Sequence, residues 1–408
     1  MIGAALLAAA FTAAGSPPPF GSPPPFGSPP PAGPPAGGSP AGVRPVPAAA
    51  ERAAPRSVVR VPGPGCLHSS PYVSGEGGYA VYRIPALVQA GGVLLAFAEG
   101  RRNGPADWGD IDVVLRRSLD GGCTWGPMQV VAGNGRDTAG NPAPVVDPVT
   151  RTVLLLTERQ PGTPAGSRDR RVFLQSSPDA GATWSAPAEI TAQVKRPGWI
   201  WYATGPGHGI ALASGRLVVP ADHSADGGRV HGAHLLLSDD HGRTWRIGAV
   251  DDHADGVVNP DETTAAQLPD GSLYLNTRDQ YGRDPATRAF TYSTDGGESF
   301  TAPFRPLPGL RAPVVQGSLF QTEGPPCRPL LFSSPQDPSR RRMLTVRHSE
   351  DGGRGWAPGI VVTEDPAGYS DLAEVAPAVG GVLYETGTKG PYERIDFQLF
   401  SIGCPPPD

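Results

Sequence analysis

Ser118-Leu119-Asp120-Gly121-Gly122-Cys123-Thr124-Trp125 returns four more times along the chain, and its reading decides the fold. The later copies are SPDAGATW (Ser177 to Trp184), SDDHGRTW (Ser238 to Trp245), STDGGESF (Ser293 to Phe300) and SEDGGRGW (Ser349 to Trp356). Their shared grammar is Ser-x-Asp-x-Gly-x-(Thr/Ser/Gly)-(Trp/Phe). The Asp carboxylate can accept from backbone N–H groups just ahead of it, the Gly can take a positive φ, and the aromatic ring can be buried under the turn. Each copy therefore predicts a tight turn between two antiparallel strands. The aspartates at 120, 179, 240, 295 and 351 are spaced by 59, 61, 55 and 56 residues, about the length of a four-stranded sheet with its connections. Between Cys66 and Cys404 that period fits about six times, which predicts an all-β, six-bladed β-propeller. Five repeats carry the turn and the sixth does not.

The rest of the chain is consistent with one large β unit. Runs such as Leu94 to Gly100, Val153 to Arg159, Ser272 to Arg278 and Gly381 to Gly387 read as strands, and no helical periodicity exceeds two turns. The 34 basic and 39 acidic residues give a net charge of −5 and no electrostatic reason to expect nucleic acid or an anionic membrane. Residues 1–15, MIGAALLAAAFTAAG, are apolar and end in small residues, as a signal peptide does, although the positive start is missing. The run is too short to span a bilayer. Three GSPPP copies run from Gly15, and residues 16–60 stay rich in Pro, Gly, Ser and Ala, predicting a disordered, semi-rigid spacer. The expected layout is a propeller over 61–404 with a tail at 405–408, in a secreted monomer.

Four cysteines lack the close spacing of a zinc site. If the first strand completes the last blade, Cys66 and Cys404 fall near each other. A Cys66–Cys404 disulfide is therefore predicted, with Cys123 and Cys327 unpaired. His223, His231 and His234 lack a rigid ligand spacing, and no metal or other cofactor is expected.

Tyr82-Arg83-Ile84-Pro85 opens the first long strand run. YRIP followed by five copies of the Asp turn resembles the exo-sialidase (neuraminidase) family, whose repeated turns are called Asp boxes. The resemblance covers about Gly65 to Ile402. A substrate with a carboxylate on its anomeric carbon calls for clustered guanidinium groups. The resemblance implies Arg83, Arg278 in LNTRD, and one member of Arg340-Arg341-Arg342, with Arg341 favoured. A carboxylate nucleophile would be repelled by that anion, and sialidases use a tyrosine instead. Tyr369 in GYSDL matches that position. Glu262 matches the base that activates it, with Asp261 as competitor. Asp107, 24 residues after Arg83, matches the acid/base, with Asp110 and Asp112 as alternatives, and needs a pKa raised above the ordinary carboxylate value. Glu385 resembles the residue that orients the first arginine. Asn141-Pro142-Ala143-Pro144 and Trp199-Ile200-Trp201-Tyr202 resemble stretches near the N-acetyl and glycerol pocket, with core packing an equal alternative for the tryptophans.

What the resemblance implies is retaining hydrolysis of terminal α-linked sialic acids on glycans through a tyrosyl intermediate, with a mildly acidic optimum. The alternatives are transfer of sialic acid, hydrolysis of a deaminated sialic acid, or a non-catalytic glycan- or protein-binding propeller.

Overall fold

Strands such as Val93–Arg101 and Ile111–Ser118 are buried along nearly their whole length, on both faces. Sheets of this kind must be covered on each side by another apolar layer. The computed structural model describes residues 66–163, 168–284, 286–323 and 328–403. The leader, the proline-rich spacer, the tail, Cys327 and Cys404 lie outside the described residues. Within them the fold is all-β; the helical content is a four-residue helix, Thr191–Val194, and one short 3-10 turn.

The strands form four hydrogen-bonded sheets. Two of these are double. Strand Ala357–Ala376 pairs with Arg342–Ser349 through its first half and with Val379–Thr386 through its second. In the largest sheet one parallel bridge, Ile111 to Thr138, joins two otherwise antiparallel groups. Divided at those two points, the pairings resolve into six four-strand meanders. The first is Val81–Ala90, Val93–Arg101, Ile111–Ser118 and Gln129–Ala132. The second is Thr138–Val146, Val153–Gln160, Arg171–Ser177 and Ala188–Glu189. The third is Trp201–Thr204, with Ile210–Ala211 beside it, then Leu217–Ala225, Val230–Ser238 and Arg246–Asp251. The fourth is Pro260–Gln267, Leu273–Asp279, Thr287–Ser293 and Arg305–Arg311. The fifth is Ser318–Gln321, Leu330–Pro335, Arg342–Ser349 and the first half of Ala357–Ala376. The sixth takes the second half of that strand, then Val379–Thr386, Arg394–Ser401 and finally His68–Val73 from the other end of the chain.

Every copy of the repeated motif links the third strand of a meander to its fourth. In the sixth meander those two strands are the last and the first of the described strands, so no short turn joins them as the motif joins the others. This explains five copies for six meanders. In the first copy Ser118 Oγ donates to Asp120 Oδ1 (2.8 Å) and accepts from Gly122 N (2.8 Å). Thr124 donates to the same carboxylate through N (2.9 Å) and Oγ1 (2.6 Å). The fifth copy keeps the Gly355 N to Asp351 Oδ1 bond at 2.8 Å and loses only the hydroxyl bond. Gly122, at φ 93°, could not be replaced freely, because a Cβ there would lie 2.0 Å from the Phe397 ring.

Apolar clusters lie between meanders. Leu95, Phe97 and Leu115 meet Val153 and Leu155, and Leu154 and Leu156 meet Leu217 and Leu236. Val218 and Leu237 meet Leu273 and Leu275, and Tyr274 and Phe290 meet Leu330 and Phe332. Leu344 and Val346 meet Leu372 and Val382, and Leu383, Ile395 and Phe397 meet Leu94 and Ala96. A buried polar hub crosses several meanders. Asp371 accepts from Leu87 N (2.8 Å) and Ser318 Oγ (2.6 Å), with His208 Nδ1 at 2.8 Å.

The cysteine pairing differs from the expectation. Cys66 is bridged to Cys123, with Cα atoms 5.5 Å apart, so Cys123 is not free. The first strand does complete the last meander, but the first repeated turn also lies against it. Ser69 Oγ donates to Gly122 O (2.6 Å) and accepts from Trp125 Nε1 (2.9 Å).

Candidate active site

Regular pairing breaks where the candidate residues sit. The register slips between Arg83 and Ala86, between Pro260 and Thr263, and between Ala367 and Ser370, which brackets Arg83, Glu262 and Tyr369. Ile84 has φ 56°, and Pro85, without an N–H, sits within the first break. Such bulges bend a strand and re-aim the side chains beside them. Arg278 projects instead from the regular pairing of Leu273–Asp279.

These side chains converge. Tyr369, buried, donates through its hydroxyl to Glu262 Oε1. Arg278 Nη1 lies 2.8 Å from Glu262 Oε2 and 3.1 Å from the Tyr369 hydroxyl. The guanidinium carbons of Arg83 and Arg341 stand 5.1 and 5.4 Å from the centre of the Tyr369 ring. Among the three consecutive arginines it is thus Arg341 that reaches the cluster; Arg340 is exposed and Arg342 donates to Glu364 O. Glu385 accepts from Arg83 Nε (2.8 Å), Ile84 N (2.9 Å) and Tyr369 N (3.0 Å), fixing the first arginine and the tyrosine to one carboxylate.

Electrostatics follow from that packing. Burial and the neighbouring Glu262 push the Tyr369 phenol well above its ordinary value, against the lowering effect of Arg278, Arg341 and Arg83. The resting phenol is therefore protonated, and its proton points at Glu262. Asp107 behaves differently from the expectation of a raised pKa. Partial burial pushes its carboxyl up, but the side chain keeps 64% of its surface in solvent. Arg101, 2.8 Å from its Oδ1, and Arg83, at 4.0 Å, prevail and hold it below the ordinary range. The competing residues point elsewhere. Asp110 and Asp112 pair with Arg102, and Asp261 lies 3.5 Å from His231 Nδ1 while accepting from Glu262 N.

Residues 92–380 match a family described as a BNR repeat-like domain. The exo-alpha-sialidase of Aspergillus fumigatus is 35% identical over 366 residues, covering 80% of this chain and 85% of that protein. The chain belongs to the sialidase family of glycoside hydrolases. A sialidase of Micromonospora viridifaciens is 34% identical over 82% of this chain, and one of Bacteroides fragilis 31% identical over 77%. This chain spans 54% and 61% of the lengths of those two proteins. Among solved structures, the Hadza microbial sialidase Hz136 superposes with a TM-score of 0.74 at 30% identity, covering 82% of this chain and 68% of that one.

Several residues near the cluster were not picked out by sequence. Tyr392 accepts from Arg341 Nη1 (2.8 Å), and its ring lies 4.1 Å from the Arg83 guanidinium carbon. Arg101 is buried and doubly bonded to Glu99 as well as to Asp107. Arg170 lies over the Trp201 ring at 3.4 Å and reaches Asn141 Oδ1 at 3.4 Å. Trp199 stacks on His223 at 3.6 Å in the core, whereas Trp201 is half-buried and donates to Asp222. Of the three histidines, His223 and His234 face each other at 3.1 Å, and burial pushes His223 down to about 3. These rings pack in the core as neutral groups.

Proposed function

We propose that the protein is a retaining exo-α-sialidase that releases terminal α-linked sialic acids from glycans through a tyrosyl intermediate. The observation that carries this reading is the Tyr369 hydroxyl, held between Glu262 and Arg278 with two further guanidiniums around its ring. Arg83, Arg278 and Arg341 bind the substrate carboxylate, since a fork of guanidinium donors matches two carboxylate oxygens. Glu262 takes the phenol proton as the Tyr369 oxygen bonds to the anomeric carbon. The bond to the leaving oxygen breaks, and Asp107 gives that oxygen its proton. Asp107 then takes a proton from water, the water oxygen bonds to the anomeric carbon, and the tyrosyl bond breaks as Glu262 returns the proton. Two displacements give net retention. Within this reading Glu385 is a positioning residue for Arg83 and Tyr369.

The same proposal takes the six meanders as the blades of a closed propeller. Supporting it, the six apolar clusters join each meander to the next and the sixth to the first. A secreted location is also proposed, in keeping with the Cys66–Cys123 bridge, because disulfides persist in oxidising compartments.

The test is proton NMR of sialyl-lactose hydrolysis. The α-anomer of free sialic acid is expected first, and Tyr369→Phe is expected to lose at least about 100-fold in kcat/KM. The β-anomer as first product, or a Phe variant as active as the parent, would refute it. Net movement of sialic acid onto added lactose would mark the protein as a transferase.

A further inference from the structure

We infer that Asp371 is a positioning residue for Tyr369: its buried carboxylate sets the distance between the strand that carries Tyr369 and the strand that carries Arg83. This inference rests on the function proposed above and adds to it a residue that acts through its neighbours. Tyr369 lies in the break between Ala367 and Ser370, and Arg83 borders the break that ends at Ala86. Across such a break the ladder of backbone hydrogen bonds is interrupted and does not fix the strand.

Two carboxylates do so instead. Glu385 accepts from Ile84 N and Tyr369 N and ties the two breaks to each other. Asp371 ties the strands a second time where regular pairing resumes. It follows the break at Tyr369 and accepts from Leu87 N (2.8 Å), just past the other break. Ile84, Val315 and the Tyr369 ring pack there as one buried apolar cluster, so the ring follows any change in the spacing of the two strands.

Donors surround the Asp371 carboxylate. Its side chain is 1% exposed, and a carboxylate buried to that degree needs hydrogen bonds and an opposite charge in compensation. Oδ2 takes Leu87 N, while Oδ1 takes Ser318 Oγ at 2.6 Å and lies 2.8 Å from His208 Nδ1. Ser318 Oγ accepts in turn from Leu372 N (3.1 Å). Burial pushes the His208 imidazole down, but the Asp371 charge and hydrogen bond outweigh it and raise it. Gly207, at φ 96°, lets the turn before His208 pass close by; a Cβ there would lie 3.1 Å from Asp371 Oδ1. Asparagine at position 371 would keep the shape but has one acceptor oxygen, so its NH2 group would face either Leu87 N–H or the Ser318 and His208 donors. One tie is then lost without opening a cavity.

The experiment reads Tyr369 directly. Protein labelled with carbon-13 at tyrosine Cζ carries ten labelled side chains, and the NMR signal of Tyr369 is the one missing from Tyr369→Phe. In Asp371→Asn that signal is expected to move, because the hydroxyl no longer meets Glu262 in the same geometry, while those of Tyr274 and Tyr292 in the fourth meander stay in place. The kcat for sialyl-lactose, measured well below the thermal midpoint, is expected to fall about tenfold. A Tyr369 signal at its wild-type position overturns the inference. So does a wild-type kcat in folded protein whose midpoint alone is lower, since Asp371 would then serve stability only. If Asp371→Asn does not fold, His208→Ala, which removes one contact of Oδ1 and leaves the Leu87 bond, is judged by the same two readings. Should wild-type protein not hydrolyse sialyl-lactose, the functional reading fails by itself, and the position of the Tyr369 signal in Asp371→Asn alone supports or refutes the inference.

Discussion

In the mechanism proposed above, Asp107 must hold a proton beside two guanidiniums that favour its ionised form. In the free protein the guanidiniums win, and its carboxyl lies below the ordinary range. Substrate changes both contributions. Its carboxylate offsets the charge of Arg83, and its rings displace water from a side chain that is otherwise mostly exposed, so the pKa should rise on binding. The pH dependence of kcat/KM reports the free enzyme and that of kcat the complex. With sialyl-lactose the alkaline limb of kcat is therefore expected at higher pH than that of kcat/KM. Coincident limbs, or the opposite order, would remove Asp107 from the acid's role. At this scale Arg83, Glu262, Arg278, Tyr369 and Glu385, which the structure brings together, each lie in a short recognisable string. The sequence left Arg341 as one of three adjacent arginines until the geometry separated them. Tyr392 carried no local signal, since Arg83 and Arg341, which it touches, lie far along the chain; Arg101 touches Glu99 and Asp107 close by in sequence, but no recognisable string singled it out.

At the scale of elements, the repeated turn was legible because its chemistry is local: a hydroxyl, a carboxylate and a glycine within eight residues. Bulges were not legible in the same way. Pro85, Pro260 and Gly368 lie at the three breaks, but a Pro or Gly in a strand run does not by itself fix where the pairing slips, which depends on the partner strand. The turns make a stability prediction. Asp120→Ala removes the acceptor for Ser118 Oγ, Cys123 N, Thr124 N and Thr124 Oγ1. A loss of about 1–2 kcal/mol is expected, read as a thermal midpoint a few degrees lower at pH 7, with kcat unchanged in the cold. The sign with pH is fixed. The Thr183 hydroxyl and N–H hold Asp179 at about 2. At Asp295 desolvation acts upward, but Ser299 outweighs it, also to about 2. A depressed folded pKa gives stability that is present above the unfolded value near 3.8 and lost as pH falls towards 2. The wild type should therefore lose midpoint steeply between about pH 4 and 2, and Asp120→Ala less steeply. Equal slopes and equal midpoints would show these bonds to be without consequence.

At the scale of the whole molecule, residues 83, 262, 278, 341 and 369 become neighbours only because the meanders are packed around one another. Periodicity announced the meanders, and the absent sixth turn is explained by the first and last described strands pairing in one sheet. The disulfide was misassigned for a related reason. Sequence logic placed the first strand beside the last, but could not show that the turn bearing Cys123 folds over the same strand. On the function proposed above, the same long-range packing makes Tyr369 the side chain that bonds to substrate. This is tested most directly by incubating active protein with 2,3-difluorosialic acid, followed by intact-mass measurement and peptide mapping. A single added sugar on the peptide containing Tyr369, absent from Tyr369→Phe, is the predicted result. An adduct on Glu262 or Asp107, or none on protein whose turnover the reagent has stopped, would contradict the tyrosyl mechanism.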